Sequence, residues 1–234
     1  MYLSRVPLNP ARRGSRRFLS SPHVLHGAVM KSFPPGVLDH PDAEGRVLWR
    51  IDKTANDIHL YVVSPVEPDF THVIEQVGWP TTGAWTTRKY GQLLDNLADG
   101  QRWHFRLTAN PARSTFIPPE QRIVDDGAGT KTQRGKVAGL NQEEQLEWLR
   151  RKAIGAGFAV TAAGPAHQRE DDVRIISRET LTFDRADRKV VLSVATFEGV
   201  LTITDPGLLR NALINGIGRA KGYGCGLLTL APNR

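Results

Sequence analysis

The sequence predicts an α+β protein made of two successive units, the first with the element order β-α-β-β-α-β. Three observations predict it. Short β-rich runs alternate with stretches that carry helix caps. A segment rich in Pro, Gly, Thr and basic residues, with little apolar periodicity, interrupts the chain from Pro111 to about Leu140. A new helix followed by strands resumes beyond it.

The elements follow in order. YLSRVPL reads as the first strand, and helical material lies between Pro10 and Lys31, with Asn9 as cap and Pro10 at the first helical position. Within it, Ser21-Pro22 starts another helix in the same way. RVLWRID and IHLYVVS are two β-rich runs around a polar turn, Lys53 to Asp57. TRKYGQLLDNLADG reads as a helix stopped by Gly100, and QRWHFRLTANP as a strand that ends before Pro111 and closes the first unit. That order is the ferredoxin-like split motif. After the break, NQEEQLEWLRRKAIGAGF has Asn141 as N-cap, acids in its first turn and arginines further on, as the helix dipole favours. RETLTFDRADRKVVLSVATFEGVLTIT gives two or three strands with a hairpin turn from Asp184 to Arg188. DPGLLRNALING is a further helix and LLTLAP the last strand. The expected division is 1–115 for the first unit, 116–140 for a linker or extended loop, and 141–234 for the second. The equivalence of the halves is topological, since no sequence repeat links them.

A chain of 234 residues with 40% hydrophobic content can bury one large or two small cores. Its 31 Lys+Arg against 24 Asp+Glu give net +7, which favours a polyanionic partner. The single cysteine, Cys225, cannot form an internal disulfide and reads as a small buried hydrophobe. No apolar run approaches the ~18 residues of a spanning helix, so a cytoplasmic protein with no membrane partner is expected. Residues 1–38 carry six Arg+Lys and no acid, a transit-peptide composition, but the strand and cap readings place them in the fold.

The stretch GIGRAKGYGCG holds five glycines, Gly216, Gly218, Gly222, Gly224 and Gly226, with Arg219 and Lys221 among them. No Gly-Lys-Ser/Thr is near, and only eight residues follow Gly226, so neither a Walker loop nor a Rossmann fingerprint fits. One reading is a bend between a helix and the last strand. The other, which the basic pair favours, is a loop facing a polyanion.

Arg12, Arg13, Arg16 and Arg17 come at i, i+1, i+4 and i+5, along one side of a short helix with no acid interleaved. Such a stripe suits several phosphates of one backbone; the alternative is a solvated face. On the next helix His23 and His26 share a face near the electropositive start, which favours neutral imidazole, the form that can accept a proton. They can also be ordinary surface histidines. A metal pair is disfavoured, because the first acidic residue is Asp39 and Cys225 stands alone. Lys31 follows on the same segment. With no carboxylate cluster in that segment to hold Mg²⁺, the available phosphodiester chemistry uses a ribose 2′-OH as nucleophile, which requires RNA.

The pattern Gly-Ile-Gly, five residues, Gly-Cys-Gly near the C-terminus resembles that of CRISPR repeat-RNA endoribonucleases. LNPARRGSRRFLSSPHVLH, the helix around EWLRRK and ATFEGVLTITDPGLLRNALINGIGRAKGYGCGLLTLAP are similar, more narrowly, to the CasE-type enzymes of the type I-E Cascade system. The resemblance runs from Leu3 to Pro232. It implies two tandem ferredoxin-like (RRM-related) βαββαβ domains. It also implies cofactor-independent and metal-independent cleavage at the 3′ base of the CRISPR repeat hairpin RNA, and assembly with other Cascade subunits. The family histidine falls on His26 and a family lysine on Lys31, and both are expected to be catalytic; His23 stands where relatives commonly have tyrosine, as a further catalytic candidate that is a general acid, a phosphate contact or a spectator. Arg219 and Lys221, and with them Arg185, Arg188 and Lys189 at the hairpin tip, are further expected RNA contacts. A non-catalytic hairpin-RNA-binding subunit is the competing expectation. A phosphotransferase with a glycine loop is a third and predicts metal dependence. Lys221-Gly-Tyr-Gly opens like an RRM stacking signature, but Cys225, Gly226 and Leu228 stand where its large apolar and aromatic residues belong.

Overall fold

The computed structural model describes residues 1–40, 44–79, 84–114, 123–125, 130–132, 137–160, 172–185 and 188–233. The first unit runs β1 (Tyr2–Leu8), α1 (Arg13–Ser20), α2 (Pro22–Met30), β2 (Leu48–Lys53), β3 (Ile58–Ser64), α3 (Thr71–Val77), β4 (Thr86–Lys89) and α4 (Gly91–Asp95). Its antiparallel sheet has the order β2-β3-β1-β4. Alternation on β1 and β3 buries Val6, Leu8, Leu60 and Val62 on one face. Phe18, Leu25 and Val29 of the helices pack there with Phe70, Val73 and Val77.

Two expectations within this sheet and its helices fail, and a third fails at its expected closing strand. TRKYGQLLDNLADG is not one helix: Thr86–Lys89 pairs with Arg5–Tyr2 as the edge strand β4, and only Gly91–Asp95 is helical. The second helix is α3, whose short run THVIEQV carries too few turns to show a clear period. The helix after β1 also starts later than predicted. Asn9 Oδ1 accepts the Ala11 N–H at 2.9 Å, but the first helical residue is Arg13 and Arg12 occupies the cap position.

QRWHFRLTANP is a strand, β5 (Arg102–Ala109), but it does not close the first sheet. It lies between the two strands that flank it in the second sheet, because Phe105, Leu107 and Ala109 bury into that unit's core with Phe197, Leu201 and Leu213. The sheets therefore divide the chain upstream of Arg102, not at 115. Four short strands follow, β6 (Ala112–Ser114), β7 (Ile123–Asp125), β8 (Thr130–Thr132) and β9 (Val137–Gly139). They pair β6 with β9 and β7 with β8, so the stretch expected as an extended loop carries nested ladders. Then come α5 (Gln142–Gly155), β10 (Phe158–Ala159), β11 (Val173–Arg185), β12 (Arg188–Ile203), α6 (Pro206–Asn215) and β13 (Leu228–Pro232). Asn141 caps α5 as its sequence predicts, and Glu144 completes a reciprocal capping box; Asp205 caps α6.

The second sheet has the order β10-β12-β5-β13, with β11 on the same edge of β12 as β10. Counted within each unit and leaving β11 aside, both sheets read fourth strand, first, third, second. The units share a core, since Leu48 and Val63 of the first pack with Trp148, Leu213 and Ile217 of the second. Arg50, 2% exposed, fastens them: its guanidinium donates to the Arg106 and Leu227 carbonyls at 2.8 and 3.1 Å and to Thr229 Oγ1 at 2.9 Å. Asp52 accepts from Arg50 at 2.6 Å and from Arg106 at 2.9 Å, so the buried cation is paired. Burial alone would raise the Asp52 pKa, but the hydrogen bonds and charges of Arg50 and Arg106 outweigh it and hold the carboxyl below its ordinary value.

Candidate active site

The site grows from the start of α2. Ser21 Oγ accepts the Val24 N–H and Pro22 takes the first helical position, as the sequence predicts. Leu25 and Val29, one turn apart, bury on the sheet and fix the rotation of the helix. That rotation leaves His23 exposed and His26 half-buried at the seam between the units.

Three elements close on His26. From β2, the Trp49 indole N–H donates to Nδ1 at 3.4 Å. From the glycine-rich loop, Gly222 lies over the ring, where a Cβ would stand 3.7 Å from Nε2. From the tip of the β11–β12 hairpin, Arg185 acts on it electrostatically. The hairpin is held in that position by its own apolar face: Phe183, Leu192 and Val194 cluster with Cys225, and the Phe183 and Tyr223 rings pack with centroids 4.9 Å apart. Cys225 is the buried hydrophobe its sequence context predicts, its thiol pushed up to about 12 by burial.

The field at the site is positive. His26 is held below the ordinary imidazole value chiefly by burial, then by the charges of His23, Arg185 and Arg46. Lys221 is lowered by burial first, then by Arg46 and Lys152. Arg46 therefore acts on both His26 and Lys221, with Arg185 beside the imidazole and Lys152 beside the lysine, and the repulsion in this positive field is relieved by an anion. Arg46, Lys152 and Trp49 escape sequence reasoning. Arg46 is a lone cation before a strand, Lys152 counts only toward the dipole of α5, and Trp49 in RVLWRID reads as core.

The other predicted residues divide. Lys31 is exposed as the C-cap of α2 and is not among the groups that act on His26. Arg13, Arg16 and Arg17 are exposed along α1, whereas Arg12 is half-buried and donates to the Glu75 carbonyl. Arg188 and Lys189 are exposed beside Arg185, residues 186–187 at the turn lying outside the described set. Arg219 is exposed, whereas Lys221 is half-buried. Among the described residues no three of His, Cys, Asp and Glu form a group that could hold a metal ion. No described helix is long and apolar enough to cross a membrane.

The loop is both bend and wall. Gly216, Gly218, Gly224 and Gly226 have φ of 75°, 84°, 80° and 92°, turning the chain from α6 into β13. Gly226 N–H donates to the Thr108 carbonyl at 2.6 Å, tying that turn to β5. Gly224 is the tightest position facing the site, since a Cβ would fall 2.6 Å from Trp49 Cζ3. Gly222 does not have positive φ; the property it supplies is empty space over His26.

Comparison with known proteins finds relatives over nearly the whole chain. The family described as "CRISPR associated protein" matches residues 1–232. The Cascade subunit CasE of Escherichia coli K12 is 32% identical over 234 residues, covering 99% of this chain and 100% of that protein. The CRISPR-associated endoribonuclease Cse3 of Thermus thermophilus is 28% identical, covering 99% and 100%. A solved structure of the endoribonuclease Cse3 bound to a 19-nucleotide RNA superposes with a TM-score of 0.75 at 25% identity, again covering 99% and 100%.

Proposed function

The chain belongs to the CRISPR-associated protein family, as a full-length homologue of the endoribonuclease Cse3, and on that basis we propose that it binds the hairpin of CRISPR repeat RNA and cleaves it at its 3′ base. The two units, each with its strands in the order fourth, first, third, second, are read as tandem ferredoxin-like domains. The observation that carries the proposal is the convergence on one half-buried imidazole of cations from both units, Arg46 from the first and Arg185 from the second.

The reaction needs no metal in this reading. The 2′-OH of the nucleotide before the cut loses its proton to a base, its oxygen attacks the adjacent phosphorus, and the P–O5′ bond breaks. The leaving oxygen takes up a proton, giving 2′,3′-cyclic phosphate and 5′-OH ends. His26 serves as an acid–base group. Nearby cations offset the charge that builds on the phosphoryl oxygens, a contribution worth most where burial excludes water. Lys31, exposed at the end of the same helix, adds charge stabilisation with a smaller effect than His26, and His23, exposed on that helix, donates a proton or contacts a phosphate. Arg13, Arg16 and Arg17 grip the backbone. Arg185, Arg188 and Lys189 reach phosphates across a major groove too narrow to be read. The processed RNA stays bound, and the complex joins other Cascade subunits, as the likeness to CasE supports.

The test is incubation of the chain with a repeat hairpin RNA in excess EDTA, with analysis of the product ends. Cleavage to a cyclic phosphate and a 5′-OH is expected, and His26→Ala should slow it ~10²–10⁴-fold while leaving binding intact. Binding without cleavage by the unmodified chain would make it a non-catalytic RNA subunit. Cleavage that stops with EDTA would point to metal chemistry.

A further inference from the structure

We infer that Trp49 is a positioning residue for this reaction: its indole N–H holds neutral His26 in the tautomer whose hydrogen sits on Nε2. An indole nitrogen can only donate. Given to Nδ1 at 3.4 Å, its hydrogen requires a lone pair there, which leaves the ring hydrogen on Nε2. Trp49 is placed to enforce this. It is 3% exposed and paired with Val62 in the sheet, and Gly224 backs onto the edge of its six-membered ring so closely that no Cβ fits between them. The charged and titratable groups acting on His26 are His23 from α2, Arg46 ahead of β2 and Arg185 from β11; none is a carboxylate that could draw a hydrogen to Nδ1.

Nε2, the nitrogen under the empty space at Gly222, presents a hydrogen to the substrate. In this state His26 gives a hydrogen bond to a phosphate or leaving-group oxygen and cannot accept the 2′-OH proton at Nε2. Either another group takes that proton or the Trp49–His26 bond opens first. On this reading His26 is not a simple general base. Trp49 acts through His26 and touches no reacting atom.

The inference rests on the nuclease reading for its meaning but not for its test. Nitrogen-15 spectra of the imidazoles in the full-length, RNA-free chain should show His26 protonated on Nε2, titrating below the ordinary value of 6.5. Trp49→Phe keeps a flat ring beside Gly224 and removes the donor. It should give mixed tautomers, a raised His26 midpoint and kcat lower by about 10- to 100-fold, with KM for hairpin RNA within about twofold. A hydrogen on Nδ1 in the unmodified chain overturns the inference. So does a Trp49→Phe variant with unchanged tautomer and kcat. An unmodified chain that cuts no hairpin RNA would sink the nuclease reading instead, and the spectrum tells the two failures apart.

Discussion

Replacing Gly224 by alanine should cost stability twice over. The residue has φ of 80°, a left-handed conformation that costs an L residue ~1–2 kcal/mol. Its new methyl would also stand 2.6 Å from Trp49 Cζ3 and 3.0 Å from Cη2, forcing a buried indole aside, for ~1–3 kcal/mol of overpacking. Together these give about 2–5 kcal/mol, or a fall in Tm of about 4–20 °C for a chain of this size. Because the displaced ring is the one that holds His26, cleavage should fall even where the variant remains folded. Gly222→Ala is the control two residues away. Its φ is not positive, and its methyl meets His26 at 3.7–3.9 Å, ordinary contact, so its Tm should stay within a few degrees of wild type. Yet that methyl covers the approach to Nε2, and cleavage should drop with little loss of stability. Paired thermal melts and single-turnover cleavage measure both. If Gly224→Ala melts with the wild type, or if Gly222→Ala melts as early as Gly224→Ala, the account of the loop is wrong.

Other outcomes follow from the same geometry. Alanine at Arg13, Arg16 or Arg17 should each flatten the slope of log K against log salt for hairpin RNA by somewhat less than ~1. Arg12→Ala should instead cost ~0.5–1.5 kcal/mol of stability through its lost bond to the Glu75 carbonyl; salt titrations and denaturant melts separate the two classes. Arg185→Ala removes a positive charge that disfavours imidazolium, so the His26 midpoint should rise in an NMR titration while RNA binding weakens; an unmoved midpoint would mean that the hairpin tip does not lie over the site in solution. Asp52, whose folded pKa is depressed, contributes stability that is fully present above its ordinary 3.8 and is lost as pH falls through the lower native value. Asp52→Asn should abolish that part of the acid limb in melts taken from pH 7 to pH 3. Because it strips a partner from buried Arg50, it should also cost ~3–5 kcal/mol at neutral pH.

What is local could be read from the chain alone. Ser21-Pro22 and Asn141 with Glu144 announce their helices because a cap is satisfied within three residues. The spacing of His23 and His26, the basic α1 and the doubled glycine pattern of the loop were likewise legible, and with them the family. Which strands pair and which side chains meet was settled only by packing. Alternation in QRWHFRLTANP marks a strand but carries no address, and burial of Phe105 and Leu107 against Phe197 and Leu213 sends it to the second sheet. Thr86–Lys89 is a strand only because Tyr2–Arg5 offers it an edge more than eighty residues away. The same holds at the site. His26 on α2 and Trp49 on β2 meet only when the helix packs on the first sheet, and Arg185 on a hairpin and Gly222 on the last loop reach them across the seam that Arg50 fastens. A hydrogen bond needs its partner within about 3.5 Å and a charge acts over roughly 10 Å, so the groups that meet here are set by tertiary packing, which no run of neighbouring residues encodes.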